Sequence, residues 1–183
     1  IGFAFFLLGC VCPDYGWSAN MPTFEDLYKF LNTDQTIWTV IITADDTTPN
    51  TDERCISEIK TSLTETTYGY NECYTEDYIT KTCKPLQASL GNGTGKGPTV
   101  DGTKQQGGLS NHLYTAVSYH ENDKCMVYTY QNNGKTECEM RVQNDRVNMT
   151  GGSTSTECEL EFDKQCPNRR KYKLYYDDCQ NAK

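Results

Sequence analysis

The chain has 183 residues, of which 36% are hydrophobic, enough for one domain with an economical core. Lys plus Arg total 17 against 25 Asp plus Glu, a net charge of −8. That balance argues against nucleic acid and against anionic membrane surfaces, where a basic patch supplies the affinity, and it is compatible with cationic ligands.

In chain order, IGFAFFLLGCVC (residues 1–12) is an apolar run too short to span a bilayer, followed by Pro13, Asp14 and Gly16. It reads as the hydrophobic part of a secretory signal peptide. This divides the chain into a leader remnant at 1–19 and a mature domain at 20–183. A buried core strand is the weaker reading, because no alternation follows the run. Cys10 and Cys12 leave with the leader, so ten cysteines become eight: Cys55, Cys73, Cys83, Cys125, Cys138, Cys158, Cys166 and Cys179. An even number in an exported chain points to a disulfide framework and an extracellular location. The sequons at Asn92 and Asn148 predict N-glycosylation on the same route.

PTFEDLYKFLN (22–32) places Phe24, Leu27, Tyr28 and Leu31 at helical spacing, with Thr23 as the cap and Asp26 three residues on. QTIWTVIITA (35–44) is β-branched and aromatic and predicts a strand buried on much of both faces; DDTTPN (45–50) predicts a turn. RCISEIKTSL (54–63) alternates as a half-buried strand does, and the tyrosine-rich stretch 65–84 predicts one or two more. Residues 91–108 hold seven glycines and one large aliphatic, Val100, which predicts a long mobile surface loop with no packed element. Lys96 lacks the spacing of a phosphate loop.

HLYTAVSYH (112–120), KCMVYTYQ (124–131) and KTECEMRVQ (135–143) predict consecutive strands, the last two joined by a hairpin turn at Asn133-Gly134. After a polar loop at 144–156, Thr156 can cap a short helix that puts Cys158, Phe162 and Cys166 on one face, and Pro167 stops it. KYKLYYD (171–177) predicts a last strand. Many short antiparallel strands suggest an all-β barrel, since closure removes exposed edges.

The chemistry-bearing residues point away from an enzyme. There is no CxxC pair, and His112 and His120 on one strand face stand more than about 20 Å apart, so no metal and no cofactor is expected. No GxSxG elbow occurs, and a cysteine nucleophile is not expected if every mature cysteine is bridged. Asp45-Asp46 and Asp177-Asp178 are sequence neighbours that point opposite ways on a strand, so neither makes a dyad. Binding remains: an eight-stranded barrel can hold one small ligand.

Several spaced features occur together. They are Trp38 in an aromatic strand after an N-terminal helix, Cys55 in the next strand, Asp123-Lys124-Cys125, and a CELWV-like strand at Cys138-Glu139-Met140-Arg141-Val142. Next come the helix with Cys158, Phe162 and Cys166, and the closing Tyr175 to Cys179. In these the chain resembles the tick salivary lipocalins typified by the histamine-binding proteins. The resemblance implies an eight-stranded antiparallel lipocalin-type barrel with an N-terminal and a C-terminal helix.

The resemblance also implies the pairs Cys55–Cys179, Cys125–Cys158 and Cys138–Cys166, leaving Cys73 and Cys83 for each other. Eight cysteines allow roughly a hundred pairings, so sequence alone does not choose. The implied binding residues are Trp38, Tyr114, Tyr128, Glu139 and Arg141, with Glu139 matching a family acid and Tyr114 an aromatic. Ala116 and Met126 stand where the family's histamine binder has acids, and Arg141 replaces the Trp of the motif.

The implied protein is a secreted monomer that sequesters a small host mediator in saliva. One ligand class is a biogenic amine, histamine or serotonin, held by charge-assisted bonds and cation–π contact with Glu139 as counter-charge. A second is an eicosanoid or fatty acid, its carboxylate on Arg141 at the pocket mouth. A third reading is a host protein partner from complement, platelets or coagulation, engaged through loops such as 91–108.

Overall fold

The computed structural model describes residues 21–44, 53–76, 79–103, 112–147 and 156–182. The expected leader at 1–19, the expected turn at 45–50 and the Asn148 sequon lie outside the described residues. Helix α1 (Phe24–Leu31) starts at a capping box in which Thr23 and Asp26 satisfy each other's backbone N–H groups. Its Leu27, Phe30 and Leu31 recur at three and four residues and are buried on one face.

The strands are β1 (Ile37–Thr43), β2 (Arg54–Leu63), β3 (Thr67–Thr75), β4 (Lys81–Gly91), β5 (Thr99–Asp101), β6 (Leu113–His120), β7 (Cys125–Asn132) and β8 (Lys135–Gln143). Each pairs antiparallel with the next. β1 then pairs with β8 through Trp38↔Val142 and Ile42↔Glu139, and with β2 through Ile37↔Glu58. The result is a closed eight-stranded antiparallel barrel with no free sheet edge between β1 and β8. The β7–β8 hairpin turns at Asn133 and Gly134, both at positive φ (50° and 75°), as a two-residue primed turn requires.

Two expectations need correction. Residues 91–108 do contain a packed element: β4 runs on to Gly91, and Thr99–Asp101 form β5, with Val100 buried between Leu90 and Tyr114. A glycine-rich composition hid three β-competent residues that find partners only once β4 and β6 are in place. The strand expected at 171–177 is also shorter: β9 (Lys171–Lys173) pairs with β1 at Ile41–Thr43. The chain then leaves the sheet and ends in a short 3-10 helix (Asp177–Asn181). Leu174 donates to Val40 O and accepts from Cys55 N, so the tail wedges between β1 and the start of β2.

Buried side chains form two layers. Inside the barrel, Leu27, Phe30 and Leu31 of α1 pack against Ile37, Tyr68, Tyr70, Leu86, Tyr114, Met126 and Tyr128. Helix α1 thus plugs one end, and Gln143 Nε2 ties it down by donating to Phe30 O at 2.9 Å. Outside the wall, helix α2 (Glu157–Gln165), capped by Thr156 and Glu159, lays Cys158 and Phe162 on Val127, Met140 and Val142. Disulfides Cys125–Cys158 and Cys138–Cys166 bolt α2 to β7 and β8. Cys55–Cys179 holds the tail, and Cys73–Cys83 joins directly opposed residues of β3 and β4. Cys55–Cys179, Cys125–Cys158 and Cys138–Cys166 are the pairs that the resemblance implied, and Cys73–Cys83 is the pair that remained.

Candidate functional site

Strand β8 carries Glu137, Glu139, Arg141 and Gln143 at alternate positions, hence on one face. Their neighbours Cys138, Met140 and Val142 belong to the outer layer under α2. An arginine is thereby directed into the barrel. Its guanidinium donates from Nε to Glu139 Oε1 at 2.5 Å and from Nη1 to Glu58 Oε1 at 2.6 Å. Thr39 Oγ1 donates to the same Glu139 oxygen at 3.1 Å. The rings of Tyr114 and Tyr128 each lie 4.9 Å from the guanidinium carbon, a double cation–π contact.

All three charged groups are buried: Arg141 is 1% exposed, Glu58 2% and Glu139 6%. With both acids ionised, one guanidinium faces two carboxylates and the cluster carries net negative charge. Burial pushes the Glu58 carboxyl up to about 7; Arg141 opposes that rise, and Glu139 adds to it. Burial alone would lower the Arg141 pKa, but the Glu139 and Glu58 carboxylates outweigh it and hold the group well above its ordinary range.

Four polar atoms at this centre are buried with no hydrogen-bond partner: Glu58 Oε2, Arg141 Nη2 and the hydroxyls of Tyr68 and Tyr128. The Tyr68 hydroxyl is near enough to Glu58 to lower its pKa slightly, yet does not reach hydrogen-bonding geometry. Unmet polar groups in a low-dielectric interior cost about 1–3 kcal/mol each, and a ligand that satisfies them recovers it. An aromatic file leads inward. His112 stacks on Tyr130 at 4.3 Å, Tyr130 meets Tyr114 edge-on at 5.2 Å, and Tyr114 meets Tyr128 at 6.0 Å. His112 and Tyr130 are only partly buried, so this file links the surface to Arg141.

No family model and no curated protein sequence matches the chain. Solved structures do match. The AM182–serotonin complex is 17% identical, with 84% of this chain and 91% of that chain covered and a TM-score of 0.55. Japanin from Rhipicephalus appendiculatus bound to cholesterol is 12% identical, with coverages of 78% and 94% and a TM-score of 0.48. Lobster apocrustacyanin A1 is 9% identical, with coverages of 84% and 86% and a TM-score of 0.45. The chain has the lipocalin fold. At these identities the likeness concerns the fold and not the ligand.

Within this lipocalin barrel, Tyr114, Tyr128, Glu139 and Arg141 converge, while Trp38 does not join them. Trp38 lies in the outer layer, where its Nε1 donates to Asn144 Oδ1 at 2.8 Å and its ring meets Tyr175 edge-on at 5.1 Å. Strand parity decides this: on β1 it is Thr39 that meets Glu139 and Ile37 that joins the inner core. Arg141 was expected at the pocket mouth; it stands instead at the centre, already bonded to two acids. Ala116 and Met126 are inner-wall residues beside Tyr128. Sequence reasoning passed over Glu58, Tyr68 and Tyr70. The i, i+2 pair Tyr68 and Tyr70 around Gly69 was a usable signal, because two aromatics so spaced share a face. Glu58 carried none, as exposed strand glutamates have the same local pattern.

Proposed function

We propose that this chain is a secreted carrier that takes up a small basic amine of the histamine or serotonin class inside the barrel. One observation carries the reading: an aromatic-walled cluster of two carboxylates on one guanidinium, in which Glu58 Oε2, Arg141 Nη2 and the Tyr68 and Tyr128 hydroxyls have no hydrogen-bond partner. An ammonium bonding Glu58 Oε2 breaks no existing hydrogen bond and balances the excess carboxylate. Tyr114 and Tyr128 offer ring faces to the same charge. An eicosanoid carboxylate fits less well, since it would place a third acid against a guanidinium that already serves two. The serotonin bound by AM182 is of the favoured class; the cholesterol bound by Japanin is not. By the family resemblance, the setting is saliva, the purpose sequestration of a host mediator during blood feeding, and the working form a monomer.

Calorimetric titration of the mature chain with histamine, serotonin and a leukotriene tests this. We expect saturable micromolar binding of one amine, weakened at least about tenfold by Glu58→Gln, and no heat with the leukotriene. Amine binding that is indifferent to both Glu58→Gln and Glu139→Gln overturns the site. Leukotriene binding alone favours the lipid reading, and no binding at all favours a protein partner.

A further inference from the structure

Asn92 stands where β4 ends, in an exposed bend, and opens the tripeptide Asn92-Gly93-Thr94. The bend is built for its place. Gly93 has φ +65°, and a Cβ there would lie 1.9 Å from Gly97 O; Gly97 has φ +107°, and its Cβ would meet Ala116 O at 2.1 Å. The turn therefore doubles back tightly against β6 and holds Asn92 outward. Beside it opens a cleft of about 630 Å³ between α1 and the ends of β2 and β4, lined by Phe24, Glu25, Tyr28, Glu65 and Leu90 with Asn92 among its walls.

The lining has the chemistry of a sugar-binding surface. Phe24 and Tyr28 present two rings 6.5 Å apart, Leu90 adds an aliphatic wall, and Glu25 and Glu65 are exposed acceptors. The electron-rich ring faces suit the C–H face of a pyranose, and the carboxylates suit its hydroxyl and acetamido N–H donors. Its volume lies within the roughly 300–1,000 Å³ typical of small-ligand sites. A sugar joined to Asn92 would be held beside this cleft at an effective concentration of order millimolar.

We propose that Asn92 carries an N-linked glycan whose first sugars lie in this cleft against Phe24 and Tyr28, covering the outer side of the helix that plugs the barrel. The transfer forms a bond between Asn92 Nδ2 and C1 of the reducing-end N-acetylglucosamine of a lipid-pyrophosphate-linked oligosaccharide. The C1–oxygen bond to the lipid pyrophosphate breaks, that pyrophosphate leaves with the bonding pair, and the amide gives up one proton. No electrons are gained or lost.

The test is expression of the full mature domain behind a heterologous leader in a eukaryotic secretory host, which makes it independent of the chain's own leader and of any amine ligand. Glycopeptide mapping should find Asn92 occupied, and Thr94→Ala should abolish that occupancy while keeping the asparagine. After trimming to a single N-acetylglucosamine, the melting temperature should exceed that of Thr94→Ala by about 2–4 °C. The difference should vanish in a Phe24→Ala background. Proton contacts between the labelled N-acetylglucosamine and the Phe24 or Tyr28 ring should appear by NMR in the unsubstituted chain, which decides the matter if Phe24→Ala does not fold. An unmodified Asn92 overturns the proposal. So does an occupied Asn92 with no thermal difference and no sugar–ring contact.

Discussion

Arg141 Nη1 and Glu58 Oε1 meet at 2.6 Å inside the barrel, across 83 positions of sequence. The bond joins β8 and β2, which flank β1 on either side, so it reaches across the inner face of β1, where Ile37 pairs with Glu58 and Thr39 with Arg141. Removing the cation alone strands two buried acids. Arg141→Met should therefore destabilise the fold by about 3–5 kcal/mol in urea unfolding. Converting Glu58 and Glu139 to Leu in the same chain should recover most of that loss, because an apolar cluster needs no charge compensation. If the triple variant is no more stable than Arg141→Met alone, the cluster is not what makes the single substitution harmful.

Glu58 gives the fold a pH dependence of definite sign. Its carboxyl is raised from an ordinary 4.5 to about 7, so the folded state holds this proton more tightly than the unfolded chain does. The stability it contributes is full below about 4.5 and is lost as pH rises through about 7. The loss is on the order of 3 kcal/mol. Urea midpoints at pH 5 and pH 8 should fall more in the parent chain than in Glu58→Gln. Equal falls in both would show that the carboxyl titrates normally. The proposed amine needs ionised Glu58, so its affinity should climb as pH rises toward 7 and level off above it, opposite to the trend in stability.

Trp38 and Tyr128 should respond differently to substitution. Trp38 is held by Asn144 and Tyr175 in the outer layer, so Trp38→Phe should lower the melting temperature and leave amine affinity unchanged. Tyr128→Phe removes a buried hydroxyl that has no partner and should raise stability by about 1 kcal/mol or more, yet should weaken amine binding by about 1 kcal/mol, several-fold. The reverse pattern in a calorimetric comparison would put the ligand outside the barrel.

The disulfides should rank by the length of chain they close. Cys55–Cys179 closes 124 positions, and Cys73–Cys83 closes 10. The chain-entropy model gives about 5 and about 3 kcal/mol respectively. Paired serine substitutions should therefore cost more at the first bond. The gap should widen further because the tail between β1 and β2 depends on Cys179. A larger loss from removing Cys73–Cys83 would contradict both arguments.

Local features were legible in the sequence. Thr23 with Asp26, and Thr156 by itself, mark two helix starts, and both caps form; the second proves to be a capping box closed by Glu159. Asn133-Gly134 marks a turn whose φ values demand such residues. Each depends on groups a few positions apart, which the sequence displays directly. β5 was not legible, because Thr99, Val100 and Asp101 become a strand only when β4 and β6 arrive on either side.

The same division runs through the candidate site. Alternation along β8 was enough to put Glu139 and Arg141 on one face, and the tyrosines of β6 and β7 were visible as candidates. That Glu58 meets Arg141, that Trp38 faces outward, and that Arg141 stands bonded to two acids rather than open at a mouth were decided by closure of the barrel. Closure sets which strand face turns inward and which distant residues share the lumen. By itself the sequence determined helices, turns, strand periodicity and an even set of cysteines, since these rest on contacts within a few residues. The tertiary structure alone decided the charge balance of the interior, because burial and pairing depend on registers between strands that no local pattern encodes.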